Sequence, residues 1–182
     1  MRPRLKAAAC GLALALLATA PALAALKPGE KAPAFTAPAY LAGQPFTYDL
    51  SEALEKGPVV LYFFPAAHTP GCNLEAHLFS EAIDDFAERG ASVIGVTAGN
   101  TDELAEFSNE TEHCGGKFPV AADPGAKIAA RYDAVLEGKP EWSSRTSYVI
   151  APDWSIAAVH SEMNPSHHVK AMLEALDALA AD

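Results

Sequence analysis

Apolar residues occupy this chain in two distinct patterns. From Val59 to Phe64 they run unbroken, rich in β-branched and aromatic side chains. A strand with one wet face would alternate, so this run predicts a central strand covered on both faces. Ser92 to Thr97 (Ser-Val-Ile-Gly-Val-Thr) predicts a second buried strand. Between them the pattern changes to helical spacing. A helix is expected over residues 73–89, with Leu74, Leu78, Ala82, Ile83 and Phe86 on one stripe. Glu75, Glu81, Asp85 and Glu88 fall largely off it, and Gly90 stands just past its end.

The flanking segments follow the same logic. Ala34 to Leu50, with Phe35, Tyr40, Phe46 and Tyr48 around Gly43, predicts two short strands or a loose hairpin. A short helix over Glu52–Glu55 ends at Gly57-Pro58. Asn100 and Glu103 have capping-box spacing and predict a helix to about Glu112, stopped by Gly115-Gly116. Phe118–Ala122 is a short strand, and Asp123-Pro124 opens a short helix to Tyr132. Residues 136–144 are expected as a loop. Thr146–Ala151 and Ser155–His160 form a hairpin. Asn164-Pro165 caps a last helix with Val169, Met172, Leu173, Leu176 and Leu179 on one face. Alternating strands and helices imply a largely parallel centre, with the late hairpin adding antiparallel strands. The fold class is α/β. The expected architecture is thioredoxin-like, with a mixed central sheet, an N-terminal β-hairpin extension and flanking helices.

Composition changes the picture at the N-terminus first. Arg2, Arg4 and Lys6 precede an apolar run from Ala7 to Ala20, and Ala22-Leu23-Ala24 has the small-x-small form of a cleavage site. Residues 1–24 therefore read as a secretory signal peptide, with 25–182 as one domain. The run is short for a membrane span, which needs roughly 20 residues. The product is expected to be exported, into the periplasm. The leader carries three of the 13 basic residues and none of the 23 acidic ones, which leaves the 158-residue remainder at net charge −13. Such a surface repels nucleic acid and anionic membrane, so neither is expected as a partner.

With Cys10 in the leader, two cysteines remain, Cys72 and Cys114. No Cys-x-x-Cys pair exists, which argues against a dithiol redox site and a zinc knuckle. Cys72 follows the loop Pro65-Ala66-Ala67-His68-Thr69-Pro70-Gly71 at a strand-to-helix junction. The unpaired N–H groups and dipole of a helix start favour a thiolate there. Thr69 can turn its hydroxyl toward the sulfur or an incoming oxygen, while Pro65 and Pro70 stiffen the loop. A free cysteine can equally be a small buried hydrophobe.

Pro65-x-x-x-Thr69-x-x-Cys72 resembles the active-site signature of peroxiredoxins, the AhpC/TSA family. The longer run Leu61–Pro65, Thr69–Cys72 and Glu75-Ala76 looks most like the Q-type branch, that of the bacterioferritin comigratory protein. Gly29–Phe35, Phe118–Pro124 and Arg145–Ile150 resemble other strands of the family, so the likeness spans nearly all of residues 25–182. The resemblance implies thiol-dependent reduction of hydrogen peroxide or organic hydroperoxides through a cysteine sulfenic acid, with no cofactor. Cys72 would be the peroxidatic nucleophile, Thr69 would orient the peroxide, Pro65 would shield the sulfenate and Arg145 would supply the active-site cation. A thioredoxin-like protein or small thiol would be the reductant, and the chain would act as a monomer or homodimer.

One departure from the branch matters. The position five residues after Cys72, where many Q-type members carry a resolving cysteine, is His77. Resolution then falls to Cys114, through an internal disulfide, or to an external thiol. Pairing Cys72 with Cys114 would require unwinding about a turn of helix to bring the Cα atoms within roughly 7 Å. The histidines (His68, His77, His113, His167, His168) show no recognised metal-ligand spacing and are expected at the surface or pocket rim, with no metal site. A different class of function remains open: a non-enzymatic thioredoxin-like redox or copper-binding protein using Cys72, His68 and His77. Trp142 either covers the site near Arg145 or packs a loop.

Overall fold

A computed structural model describes residues 25–181. The proposed signal peptide lies outside the described residues. The main sheet has seven strands in the order β2-β1-β5-β4-β3-β8-β9. They are β1 (Thr36–Leu41), β2 (Gln44–Asp49), β3 (Val59–Ala66), β4 (Ser92–Gly99), β5 (Val120–Ala122), β8 (Thr146–Ile150) and β9 (Ile156–Ser161). Helices are α1 (Leu50–Leu54), α2 (Pro70–Glu81), α3 (Ile83–Glu88), α4 (Leu104–Asn109), α5 (Lys127–Arg131) and α6 (His168–Leu179). No helix among the described residues is long and apolar enough to cross a membrane.

The unbroken apolar run does form the central strand. In β3, Val59, Leu61 and Phe63 enter one core with Phe35, Ile94, Tyr132 and Tyr148. Val60, Tyr62 and Phe64 enter the opposite core with Cys72, Phe79, Phe86, Phe107, Cys114 and Met172. Period-two side chains with both faces buried account for the absence of polar alternation. The parallel pairings are β3 with β4 and β4 with β5. All other neighbours in this sheet run antiparallel. The expectation of a largely parallel centre therefore holds only for three strands, because hairpins flank them on both sides.

Several local expectations are corrected. The helix expected from residue 73 begins at Pro70, which suits a first helical position because it needs no N–H partner there. The segment is broken at Ala82 into α2 and α3. Its buried face is Cys72, Glu75, Ala76 and Phe79, whereas Leu74 is 42% exposed. The stripe is rotated because the first turn faces a buried cation. Asn100 does not open a capping box: at φ 53° it takes the left-handed conformation, and its side-chain amide donates to the Ala67 carbonyl at 2.9 Å. A 3-10 turn at Thr101–Glu103 leads instead into the short α4.

Asp123 does not sit directly before its helix. Its carboxylate accepts from the Ile128 and Ala129 N–H groups across an intervening turn, and α5 begins only at Lys127. The expected loop over 136–144 is a small second hairpin, β6 (Val135–Leu136) with β7 (Lys139–Ser143). Gly138, at φ 75°, supplies the left-handed residue that its tight turn needs. Trp142 lies in that hairpin beneath the Lys139 ammonium, 4.8 Å from the ring centre.

Candidate active site

Strand topology brings the separated residues of the signature together. β3 and β8 are antiparallel, with Phe63 opposite Thr146. The β3–β8 ladder ends at Phe63, so Pro65, which has no N–H to offer, falls where that ladder demands no bond. Arg145, the residue before β8, therefore arrives at the same end of the sheet as the loop leading to Cys72. Thr97 Oγ1 donates to the Pro65 carbonyl at 3.1 Å and fixes the loop's first bend.

Thr69 precedes α2 in extended conformation and makes no side-chain cap. Its hydroxyl donates to the Ala66 carbonyl at 3.0 Å. The first helical bond runs from the Asn73 N–H to the Thr69 carbonyl at 2.8 Å. The Gly71 and Cys72 amides lie in the first turn, where a helix offers no internal acceptor. Cys72 sits over that positive end, 1% exposed.

Arg145 is itself buried, 4% exposed, and its guanidinium is held at three points. Nη2 donates to Cys72 Sγ at 3.4 Å, Nε donates to the Met163 carbonyl at 3.1 Å, and Nη1 pairs with Glu75 Oε2. A planar fork anchored this way presents a fixed charge to the sulfur. Gly71 makes the approach possible, since a Cβ there would lie 3.1 Å from Arg145 Nη2.

Glu75, expected off the buried stripe, is fully buried. Burial raises its carboxyl above the ordinary carboxylate range, and Arg145 opposes that rise. Its second oxygen, Oε1, faces His168 Nδ1 at 3.6 Å. His168 was expected at the surface or a pocket rim. It is fully buried instead, with Nδ1 hydrogen-bonded to Ser147 Oγ at 2.7 Å and Nε2 to the Glu162 carbonyl at 2.9 Å. Burial pushes its pKa down to about 4, so the ring is neutral near pH 7. Sequence reasoning missed Ser147 and His168, although His168 extends the apolar stripe of Met172 and Leu176 by one turn.

Cys114 is fully buried in the same apolar cluster as Cys72. Both are free thiols. Cys114 lies in the turn after α4, before Gly115 and Gly116 at φ 61° and 68°. Burial first, and then the charge of Glu110, push the Cys114 thiol well up. The proposed copper ligands do not converge: His77 faces Glu81 at 3.5 Å, half-exposed, while His68 faces Glu110 and the ring of His113. His113 is buried, not a surface residue. Only His167, bridging to Glu162, is as exposed as expected of the His167-His168 pair.

The AhpC/TSA family profile matches residues 28–159. The crystal structure of peroxidoxin BcpB from Mycobacterium tuberculosis superposes with TM-score 0.74 at 31% identity, covering 84% of this chain and 97% of that one. Alkyl hydroperoxide reductase C of Helicobacter pylori is 30% identical over 81% of this chain and 77% of its own. Chloroplastic peroxiredoxin Q of Sedum lineare is 27% identical over 67% of this chain and 64% of its own.

Proposed function

This chain belongs to the AhpC/TSA family, on its peroxiredoxin Q side, and is a thiol peroxidase; from that premise we propose that Cys72 reduces hydrogen peroxide and organic hydroperoxides. One observation carries the reading: Arg145 Nη2 donates to Cys72 Sγ at the start of α2, with both residues buried. A cation beside a sulfur at a helix start is the setting of a nucleophilic cysteine.

The thiolate attacks one peroxide oxygen in line. The S–O bond forms as the O–O bond breaks, and the departing oxygen leaves as water or alcohol once protonated. Arg145 stabilises the charge developing on the two oxygens. Thr69 reorients its hydroxyl from the Ala66 carbonyl toward the peroxide, and Pro65 screens the product. Cys72 is left as sulfenic acid, two electrons more oxidised. The Cys114 thiol then condenses with it, releasing water and leaving a Cys72–Cys114 disulfide. A thioredoxin-like protein or a small thiol supplies the two electrons that reopen it. The first turn of α2 and the turn at Gly115-Gly116 both unfold locally for this step, since both thiols start buried. The leader pattern in residues 1–24 supports export to the periplasm.

Mass analysis under non-reducing conditions after one equivalent of peroxide tests the scheme. An internal disulfide is expected, absent in Cys72→Ser. Peroxide consumption that survives Cys72→Ser would remove Cys72 from its role. A persistent sulfenate or a mixed disulfide in the otherwise active protein would remove Cys114 from its own.

A further inference from the structure

Among the described residues, three side chains of metal-binding type, His68, Glu110 and His113, bring their candidate ligand atoms within 4.8 Å of one another. His68 belongs to the loop between β3 and α2. Glu110 and His113 belong to the turn after α4. The spacing of the histidines gave no sign of this set, and Glu110 stands 42 positions after His68. Only the packing of the loop against the turn assembles them.

We propose that His68 Nδ1, His113 Nδ1 and Glu110 Oε2 form a binding site for a divalent metal ion, zinc by its geometry. The Glu110 oxygen lies 2.8 Å from His113 Nδ1 and 3.7 Å from His68 Nδ1. Ligand atoms about 2.0–2.1 Å from a tetrahedral zinc ion stand about 3.3 Å apart, between these two values. Two imidazoles and one carboxylate are a known zinc donor set, with the fourth position left to water.

A second observation points the same way. Glu110 Oε2 and His113 Nδ1 are both buried and both without a hydrogen-bond partner. They stand 2.8 Å apart without forming a hydrogen bond to each other. Buried polar atoms of native proteins are nearly always satisfied, and a bound cation would satisfy both.

The surroundings fit an ion. The turn is braced from within, as the Glu110 carbonyl accepts from the His113 N–H at 3.0 Å and the Gly115 N–H at 2.8 Å. The Phe107 ring packs against His68 and His113, at 5.3 and 5.0 Å between ring centres, and gives the site an apolar wall. No lysine or arginine occurs between Arg89 and Lys117, while Asp102, Glu103, Glu106, Glu110 and Glu112 do. This field favours a cation. A cleft lined by Asn73, Leu74, His77, Glu112 and His113 opens beside the site and provides a way in. An ion held here ties the loop that carries Thr69 and leads to Cys72 to the turn that carries Cys114.

Calorimetric titration of the reduced, chelator-stripped protein with zinc sulfate tests the site, with cobalt(II) absorption reporting coordination geometry. One zinc per chain is expected, with a tetrahedral cobalt spectrum. Glu110→Gln and His68→Asn, both on partly exposed side chains and checked for folding by circular dichroism, should each weaken zinc binding by about 100-fold or more, at least as much as losing an outer-shell partner costs. The Cys72→Ser/Cys114→Ser double variant should bind as the parent does. The proposal is overturned by an absence of stoichiometric zinc binding, by binding that both ligand variants retain, or by binding that disappears with the thiols.

Discussion

Cys72 and Cys114 occupy one apolar cluster, and neither thiol is open to solvent. Their electrostatic settings are nevertheless opposite. Cys72 has a guanidinium at 3.4 Å and the positive end of α2. Cys114 has no cation to offset burial, and the nearby Glu110 raises its thiol further. Burial by itself makes a thiol inert, whereas burial around a fixed cation can make it a nucleophile, because the low-dielectric surroundings that penalise an isolated charge also strengthen a paired one. The contrast fits a division of labour in which Cys72 reacts in place and Cys114 reacts only after its turn opens.

Removing the cation breaks this contrast most severely. Arg145→Ala should lower kcat/KM for peroxide by about 10²–10³-fold, comparable to deleting one transition-state donor. It also leaves Glu75 buried without its partner, so Arg145→Lys serves as a second variant. The lysine keeps the charge but cannot bond Cys72, Glu75 and Met163 together, and its activity should fall between the two. Stopped-flow peroxide consumption by the folded variants reads the effect, and parental rates in both would remove Arg145 from the chemistry.

Cys114→Ser sharpens the contrast from the other side. The first peroxide turnover should keep its parental rate, within about twofold, because Cys114 contributes no charge to the Cys72 thiolate. Sulfenate on Cys72 should then accumulate and be captured by a dimedone probe, while steady-state turnover with a dithiol reductant slows. Unchanged steady-state turnover would assign regeneration to an external thiol.

The smallest effect concerns stability around the Arg145 network. His168 has a folded pKa of about 4 against an ordinary 6.5. The unfolded chain therefore takes up this proton first. The stability at stake is fully present above about pH 6.5 and declines as pH falls toward 4, by at most about 1.4 kcal/mol per pH unit for one proton. Glu75, raised from 4.5 to about 8, acts in the opposite sense between those values and so opposes the His168 effect over part of its range. Urea denaturation at several pH values should show a shallower acid decline in His168→Asn than in the parent. Equal slopes would show that the buried ring does not govern this part of the profile.

Much of the fold was legible from pattern. Val59–Phe64 announced a doubly covered strand because both of its faces had to be apolar. The Pro65-to-Cys72 loop announced a helix start carrying a thiol, because proline and glycine after an apolar run punctuate a strand-to-helix junction. Legibility failed where a residue's role depends on a distant partner. Leu74 suits a buried stripe better than Glu75 by hydrophobicity, yet Glu75 is the buried one because Arg145, seventy residues away, awaits it. Asn100 and Glu103 had the spacing of a cap, but Asn100 found a better acceptor in the Ala67 carbonyl.

The sequence by itself determined the strand–loop–helix junction, the cysteine at its end and the family to which they point. These rest on local chemistry: unbroken hydrophobicity, φ-restricting proline and the unpaired amides of a helix start. Only the tertiary structure decided that Arg145 meets Cys72 through a gap left by Gly71, that His168 lies buried behind Glu75, and that His68 joins Glu110 and His113. Each of these juxtapositions depends on the register of β3 against β8 or on the packing of a loop against a turn. Such contacts link residues tens of positions apart, and no periodicity along the chain encodes them.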